Sequence, residues 1–201
     1  MSTTSFIKTS SGIIQVSLEA KHLSRRLVSV RGEITEETAI DFTDQILDLN
    51  MESEEPITVL INSPGGEINS GLLMLDAIVG SKAPVRTVCR GKAYSMGAVL
   101  FASAKERLML PNSELMLHQP LMGGRISGNA SSIKSISDSL LETKARLNRL
   151  IASFTGKTED EIDQATDFDH YFSPNEAVKF NLCDRIISFA DLIDIINGME
   201  G

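Results

Sequence analysis

The sequence has few cysteines and a shortage of positive charge. Its 201 residues include 19 Lys and Arg against 27 Asp and Glu, a formal net charge of −8. That balance argues against binding to nucleic acid or to an anionic membrane, because both attract clustered Lys and Arg. The two cysteines, Cys89 and Cys183, lie in apolar surroundings without the spacing of a metal site. We therefore expect reduced, packed cysteines and no bound metal.

Long apolar runs and targeting signals are also missing. No apolar run approaches the ~20 residues of a membrane span, and no secretory hydrophobic region stands at the start. The segment over residues 1–20 contains no Arg, which disfavours a mitochondrial transit peptide. We expect a cytoplasmic protein with an N-terminal arm over residues 1–20, in which Ile14, Val16 and Leu18 form a short strand. No stretch rich in Pro, Gly or Ser divides residues 21–201, so we expect one domain there.

The composition allows a sizeable core, with 42% hydrophobic and 23% charged residues. Three successive units follow a strand–loop–helix plan, which implies right-handed crossovers and a parallel sheet in an α/β fold. Their loops gather at one edge of the sheet, beyond the carboxyl ends of the strands. The strands are predicted at 27–30, 57–61 and 85–89. The first helix begins after the N-cap Thr35 and has the apolar stripe Ala39, Phe42, Ile46 and Leu49. The second and third helices span 68–79 and 96–104.

The pattern changes after the third unit. A long helix over residues 130–154, ended by Gly156, is a candidate for interaction outside its own domain. The other predicted elements are strands at 107–110 and 114–117, a polar loop at 123–129, a helix at 159–165, a turn at 166–172, a helix from Ser173 and a strand at 184–187.

One serine stands where the third strand meets its helix. Ser95 follows a predicted turn over residues 91–94 and precedes the helical run. At such a junction the hydroxyl projects from the chain, and the free amides of the first helical turn point the same way. That is the geometry of a nucleophile beside an oxyanion hole, and a buried Ser capping the helix is the alternative. The predicted loop at Gly65 and Gly66 reaches the same edge from a neighbouring strand.

A base and an orienting acid come from few candidates. Of the three histidines, His22 lies in a charged stretch where we expect no role. His118 ends an apolar strand, and there it can accept the proton that an adjacent serine has to lose. Asp167 and Asp169 are both candidates to orient its imidazole, and the adjoining His170 is a weaker rival base.

Four motifs together resemble the proteolytic subunit of the Clp protease, the ClpP family. The motifs agree with that family in order and nearly in spacing over about residues 23–187, and together they are far more specific than any one. They are Gly-Lys-Ala-Tyr-Ser95-Met-Gly-Ala, Met-Leu-His118-Gln-Pro, Ile-Asn-Ser-Pro-Gly65-Gly66, and the turn with Asp169 before Ser-Pro-Asn-Glu-Ala-Val.

The resemblance assigns roles to single residues. It implies that Ser95 is the nucleophile, His118 the base and Asp169 the orienting acid of a serine endopeptidase. It places the oxyanion donors on the backbone N–H groups of Gly66 and Met96. Donors of this kind are typically worth about 10²- to 10³-fold in rate.

The resemblance also implies an architecture and partners. The fold would be a crotonase-like spiral of strand–loop–helix units, with a protruding handle at about residues 123–154 that joins two stacked heptameric rings into a tetradecamer. Residues 1–18 would form the axial gate. A ring-shaped AAA+ Clp ATPase would deliver unfolded chains for quality-control proteolysis. ATP would belong to that partner, because the sequence contains no GxxxxGK[ST] motif, and no cofactor is expected here.

Three positions depart from the family pattern and suggest a divergent paralogue. Tyr94 stands where the family usually has a small residue, and we expect its ring to narrow the site or to change how substrate lies. Phe168 replaces an Arg that helps contacts between rings. Met122 and the residues after it lengthen the loop that follows His118.

Other functions stay open beside the peptidase. One is a weakly active, structural or regulatory ring subunit mixed with a second ClpP paralogue. Another is a crotonase-type acyl-CoA enzyme, which shares the fold and oxyanion hole but needs no Ser-His-Asp set. An α/β-hydrolase esterase is disfavoured, because that class has the order Ser, Asp, His whereas His118 precedes Asp169 here.

Overall fold

Nine strands and eight helices make up the described part of the chain. The computed structural model describes residues 3–10, 12–121, 123 and 128–198. The strands are β1 (Thr4–Thr9), β2 (Gly12–Ser17), β3 (Leu27–Ile34), β4 (Ile57–Gly66), β5 (Val85–Tyr94), β6 (Glu106–Met109), β7 (Glu114–Leu117), β8 (His170–Phe172) and β9 (Arg185–Ile186). The helices are α1 (Leu18–Leu23), α2 (Glu36–Glu52), α3 (Ile68–Gly80), α4 (Met96–Ala102), α5 (Ala130–Thr155), α6 (Glu159–Thr166), α7 (Pro174–Phe180) and α8 (Phe189–Ile196).

The predicted parallel sheet is confirmed and has β5 at its centre. Strands β3, β4, β5, β6 and β9 follow one another in that order, each parallel to the next. The first half of β5 pairs with β6, whereas its last residues, 92–94, pair in parallel with β7. Strand β8 then adds to β7 in the antiparallel direction. The end of β5 is thus connected directly to β7 and, through β7, to β8.

The sheet is covered on both faces, which suits parallel strands that read as continuous apolar runs. Helices α2, α3 and α4 contribute to the larger core cluster, which includes Phe42, Met74 and Phe101. The second cluster joins Leu60 of β4 to Leu192 of α8, a helix that the sequence analysis did not predict.

Capping follows the predicted signals. Thr35 caps α2, since its Oγ1 accepts from the backbone N–H of Thr38 while the Thr38 hydroxyl accepts from the Thr35 N–H. The four residues predicted for the apolar stripe of α2 are its buried residues. Gly156 ends α5 with a φ of 69°, a left-handed conformation that glycine adopts without a steric penalty.

Three segments predicted as loops or turns are in fact strands. Strand β5 runs through residues 91–94, because cross-strand pairing with β7 overrides the turn preference of Gly91. Strand β4 likewise continues through residues 65–66, which pair with the end of β3. The predicted turn at 166–172 contains β8.

The N-terminal and handle segments also differ from expectation. The predicted single strand is half of an antiparallel hairpin of β1 and β2, and Leu18 begins α1 instead of ending the strand. The long helix is confirmed and ends one residue later than predicted. Met122, in the predicted longer loop after His118, and residues 124–127 of the predicted handle lie outside the described residues.

Candidate active site

Ser95 occupies the sharp junction between β5 and α4. Its backbone has φ 53° and ψ −124°, a conformation that a residue with a side chain rarely adopts and that costs of order 1–3 kcal/mol. Its side chain makes no capping hydrogen bond to the helix, so the capping alternative is not realised. Its N–H donates to the carbonyl of Met116 on β7 at 2.9 Å. The junction therefore frees the hydroxyl and joins the serine's backbone to the neighbouring strand.

His118 follows β7 by one residue and reaches the serine. Its Nε2 lies 2.8 Å from Ser95 Oγ, within hydrogen-bond distance. On the other side of the ring, Nδ1 lies 3.4 Å from Oδ1 of Asp169, a side chain that is 58% exposed. The three candidate groups thus form one line, with a close contact at the serine and a looser one at the carboxylate.

The alternative acid, Asp167, and the alternative base, His170, make other contacts. Asp167 accepts a hydrogen bond from the Gln119 side chain at 2.9 Å. The His170 ring stacks on the Phe172 ring, with centroids 4.1 Å apart. The structure therefore brings Asp169, not Asp167, to the imidazole of His118.

The glycine pair at the end of β4 packs directly against the serine. A Cβ added at Gly65 would lie 2.7 Å from Ser95 Cβ and 3.1 Å from the Met96 nitrogen. At Gly66 it would lie 2.1 Å from the Ile34 carbonyl oxygen. Both glycines have positive φ, 91° and 154°, so side chains are excluded by conformation as well as by space. This packing brings the Gly66 backbone and the first amides of α4 to the same cavity beside Ser95.

A cavity of about 220 Å³ opens beside the serine. Apart from the backbone of the junction, its walls are mostly apolar, and one of them belongs to the last turns of α5. The lining residues beyond Gly66, Ser95, Met96 and His118 are Ile68, Val99, Leu117, Pro120, Leu121, Leu147, Asn148 and Ile151. Sequence analysis assigned α5 to the handle alone, although the apolar spacing of Leu147 and Ile151 marked a packed face.

Tyr94 does not narrow this cavity. Its ring is not among the lining residues, and its hydroxyl donates to the carboxylate of Glu114. That hydrogen bond, with burial as a smaller cause, raises the pKa of Tyr94 to about 12. The expectation of a narrowed site is thus not met for the cavity beside Ser95.

A larger cavity, of about 430 Å³, lies elsewhere, between α1, β3 and α2. It includes His22, which is half-buried instead of exposed, and whose Nδ1 has no hydrogen-bond partner in the described part of the chain. Burial and the nearby arginines lower the pKa of His22. No residue of the Ser95 line borders this cavity.

Among residues 3–10, 12–121, 123 and 128–198, no three His, Cys, Asp or Glu side chains are grouped so that they could hold a metal ion. Over the same ranges, no helix has the length and hydropathy of a membrane span.

An α/β fold with Ser, His and Asp in line at a strand–helix junction has the arrangement of the serine hydrolases. Comparison with known families narrows that class. The model of the family described as Clp protease matches residues 12–190, and the chain therefore belongs to that family of ClpP-type peptidases. Its parallel sheet and eight described helices are consistent with the ClpP fold.

Proposed function

We propose that the protein is a serine endopeptidase subunit of a self-compartmentalised Clp protease, with Ser95, His118 and Asp169 as its triad. The observation that carries the proposal is the 2.8 Å contact between His118 Nε2 and Ser95 Oγ at a strained strand–helix junction. A serine hydroxyl becomes an effective nucleophile only when a base of this kind takes its proton.

The geometry suggests the following sequence of steps. Ser95 Oγ attacks the peptide carbonyl while its proton passes to His118 Nε2. The imidazolium formed is stabilised by the carboxylate of Asp169 on the Nδ1 side. The same proton then passes to the leaving amine as the C–N bond breaks, which leaves an acyl group on Ser95. Water, deprotonated by His118, hydrolyses that ester and restores the serine.

The oxyanion of each tetrahedral intermediate would be bound by the backbone N–H groups of Gly66 and Met96. Met96 opens α4, where the first amides lack intrahelical acceptors and carry the positive end of the helix dipole. The close packing of Gly65 on Ser95 and on the Met96 nitrogen supports this assignment.

The apolar cavity indicates the substrate side chain that would lie next to the cleaved bond. Leu117, Leu147 and Ile151 are buried around it, so we expect a preference for an apolar residue on the acyl side. Such side chains are exposed in unfolded polypeptides, which fits delivery of unfolded chains and short peptides.

Assembly belongs to the same proposal. Members of the Clp protease family generally form rings with Clp ATPases. Phe168, next to Asp169, is 80% exposed, and two apolar residues of the N-terminal half of α5, Ile133 and Leu141, are also exposed, at 47% and 60%. Stacked heptameric rings would cover these apolar groups, and an AAA+ partner would supply the ATP-driven unfolding.

The test is a serine-directed fluorophosphonate, followed by intact mass and peptide mapping. We expect one adduct on Ser95 and none in Ser95→Ala, whose peptidase kcat should fall by roughly 10⁶-fold. Ser103→Ala is the matched control, since that hydroxyl only donates to the Leu100 carbonyl at the end of α4. An adduct elsewhere, or parent activity in Ser95→Ala, would contradict the proposal.

A second candidate is a weakly active subunit of a mixed ring. The observation in its favour is the exposed Asp169 carboxylate, 3.4 Å from His118 Nδ1, which a neighbouring subunit could bring into alignment. Co-expression with a second ClpP paralogue should then raise the rate of Ser95 acylation above that of the protein alone. Equal rates in both preparations would eliminate this candidate.

A further inference from the structure

Tyr94 precedes the candidate nucleophile and contacts both of the strands that lead to the other two triad residues. Its hydroxyl donates to Glu114 on β7. Its ring meets the Tyr171 ring on β8 edge to face, with centroids 5.7 Å apart and an interplanar angle of 87°. The Lys92 ammonium lies 5.5 Å from the centroid of the Tyr94 ring. One side chain on β5 therefore connects three strands.

Strand register places these contacts directly beside the triad. Tyr94 pairs with Met116 on β7, and Met116 pairs with Tyr171 on β8, so the three side chains form a row on one face. Two residues beyond Met116, His118 meets Asp169, which lies two residues before Tyr171. The row of Tyr94, Met116 and Tyr171 therefore lies beside His118 and Asp169 on the same face of the sheet.

The backbone alone provides little support to this part of the sheet. Strand β7 has four residues and β8 has three, and β7 pairs with β5 over residues 92–94, followed by the hydrogen bond from the Ser95 N–H to the Met116 carbonyl. Among the described strands, β8 pairs with β7 alone. Side-chain contacts therefore add to the few backbone hydrogen bonds that hold Ser95 and Asp169 in their relative positions.

The Tyr94–Glu114 bond is of a kind that can supply such support. A hydrogen bond to a carboxylate is roughly twice as strong as a neutral one. The raised pKa of Tyr94 means that its hydroxyl stays protonated at neutral pH and can donate this hydrogen bond. The ring contact with Tyr171 adds an aromatic pair of favourable geometry.

We propose that Tyr94 is a positioning residue: through Glu114 and Tyr171 it holds β7 and β8 so that His118 and Asp169 stay in line with Ser95. The inference rests on the proposed peptidase function. Because Tyr94 does not line the cavity, its loss should lower kcat and leave KM for a short peptide nearly unchanged.

Tyr94→Phe is the sharpest test, because it removes the hydroxyl and keeps the ring against Tyr171. The quantities to measure are the fluorophosphonate acylation rate of Ser95 and kcat and KM for a short peptide. We expect acylation and kcat to fall several-fold, and by no more than about 100-fold, the typical cost of a 1 Å misplacement.

Thr87→Val is the matched control on the same strand. The Thr87 hydroxyl donates to the Phe101 carbonyl at 2.8 Å, at the end of β5 away from Ser95. This variant also loses one hydroxyl and one hydrogen bond. It should lower the melting temperature and leave acylation of Ser95 unchanged.

Variants of Glu114 supply a rescue experiment. Glu114→Gln keeps an oxygen that can accept from the Tyr94 hydroxyl, whereas Glu114→Ala removes it. We expect the Ala variant to acylate as slowly as Tyr94→Phe, and the Gln variant to recover most of the parent rate.

The outcomes separate the two proposals. Parent acylation in Tyr94→Phe, or an equal loss in Thr87→Val, would overturn the positioning role while labelled wild-type Ser95 still supports the peptidase. Wild-type protein without an adduct on Ser95 would overturn both, and that result is obtained before any variant is made.

Discussion

Two carboxylate pairs of this molecule, Arg107–Asp184 and His118–Asp169, differ in how deeply they are buried and in how many hydrogen bonds they make. Arg107 on β6 is 6% exposed, and its guanidinium binds both oxygens of Asp184, at 2.5 and 3.1 Å. It also donates to the carbonyls of Phe154 and Asn181, beside the ends of α5 and α7. His118 and Asp169, in contrast, make one 3.4 Å contact, with the carboxylate largely exposed.

We expect the Arg107–Asp184 pair to contribute to the stability of the fold and the His118–Asp169 pair to contribute to the proposed reaction. Burial disfavours the Asp184 carboxylate, but the hydrogen bonds from Arg107 outweigh that effect and lower its pKa. A network in which every donor has a partner rigidifies its surroundings. The nitrogens of His118 contact Ser95 and Asp169, an arrangement that would allow proton transfer in the proposed peptidase. The Arg107–Asp184 pair connects the ends of α5 and α7 to β6, whereas the Asp169 carboxylate beside His118 remains exposed.

Of these two pairs, the His118–Asp169 pair should give the larger effect when it is changed. Asp169→Asn should lower kcat by roughly 10⁴-fold, because the imidazole loses the carboxylate that selects its tautomer and stabilises its charge. Asp167→Asn is the control, since Asp167 accepts from Gln119 instead, and its peptidase rate should match the parent. Similar rates for the two variants would remove Asp169 from the triad.

Substitution in the Arg107–Asp184 pair should lower the stability of the fold and leave kcat unchanged. Arg107→Met removes the buried guanidinium that donates to Asp184 and to the carbonyls of Phe154 and Asn181, and we expect the free energy of unfolding to fall by about 1–3 kcal/mol. Urea unfolding at a fixed protein concentration measures it. Lys134→Met removes an exposed pair with Asp138 on α5 and should cause no measurable change. If Arg107→Met were as stable as the parent, the network would have no stabilising role.

A smaller loss is expected when the backbone at the site is displaced and both pairs stay intact. Gly65→Ala puts a methyl group 2.7 Å from Ser95 Cβ at a φ of 91°, so the oxyanion donors should shift. We expect Ser95 acylation to slow by about 10²- to 10³-fold, the worth of such a donor. Gly80→Ala, which has open space around its Cβ, is the control. Normal acylation in Gly65→Ala would separate this loop from catalysis.

The sequence predicted the parts of the fold that depend on local signals. The Thr35 cap, the α2 stripe and the Gly156 stop all arise within a few residues of chain, and the structure confirms them. Motif order and the ends of parallel strands predicted that Ser95 and His118 meet at one edge of the sheet, and their catalytic roles stay a prediction. Their 2.8 Å contact needed the structure.

Other features depend on partners distant in sequence. Local composition favoured a turn at residues 91–94, but pairing with β7 extends β5 to the serine. Strand β8 forms only because β7 is beside it, and its pairing determines which aspartate faces His118. The Tyr94–Glu114 bond spans 20 residues and has no pattern in the sequence.

Both cysteines are buried, which protects their thiols from oxidation. Burial raises the pKa of Cys89 to about 12 and that of Cys183 to about 11. Peroxides and alkylating agents attack the thiolate, and these two thiols remain protonated at neutral pH and out of contact with solvent. We therefore expect neither thiol to react with peroxide or with an alkylating reagent while the protein stays folded.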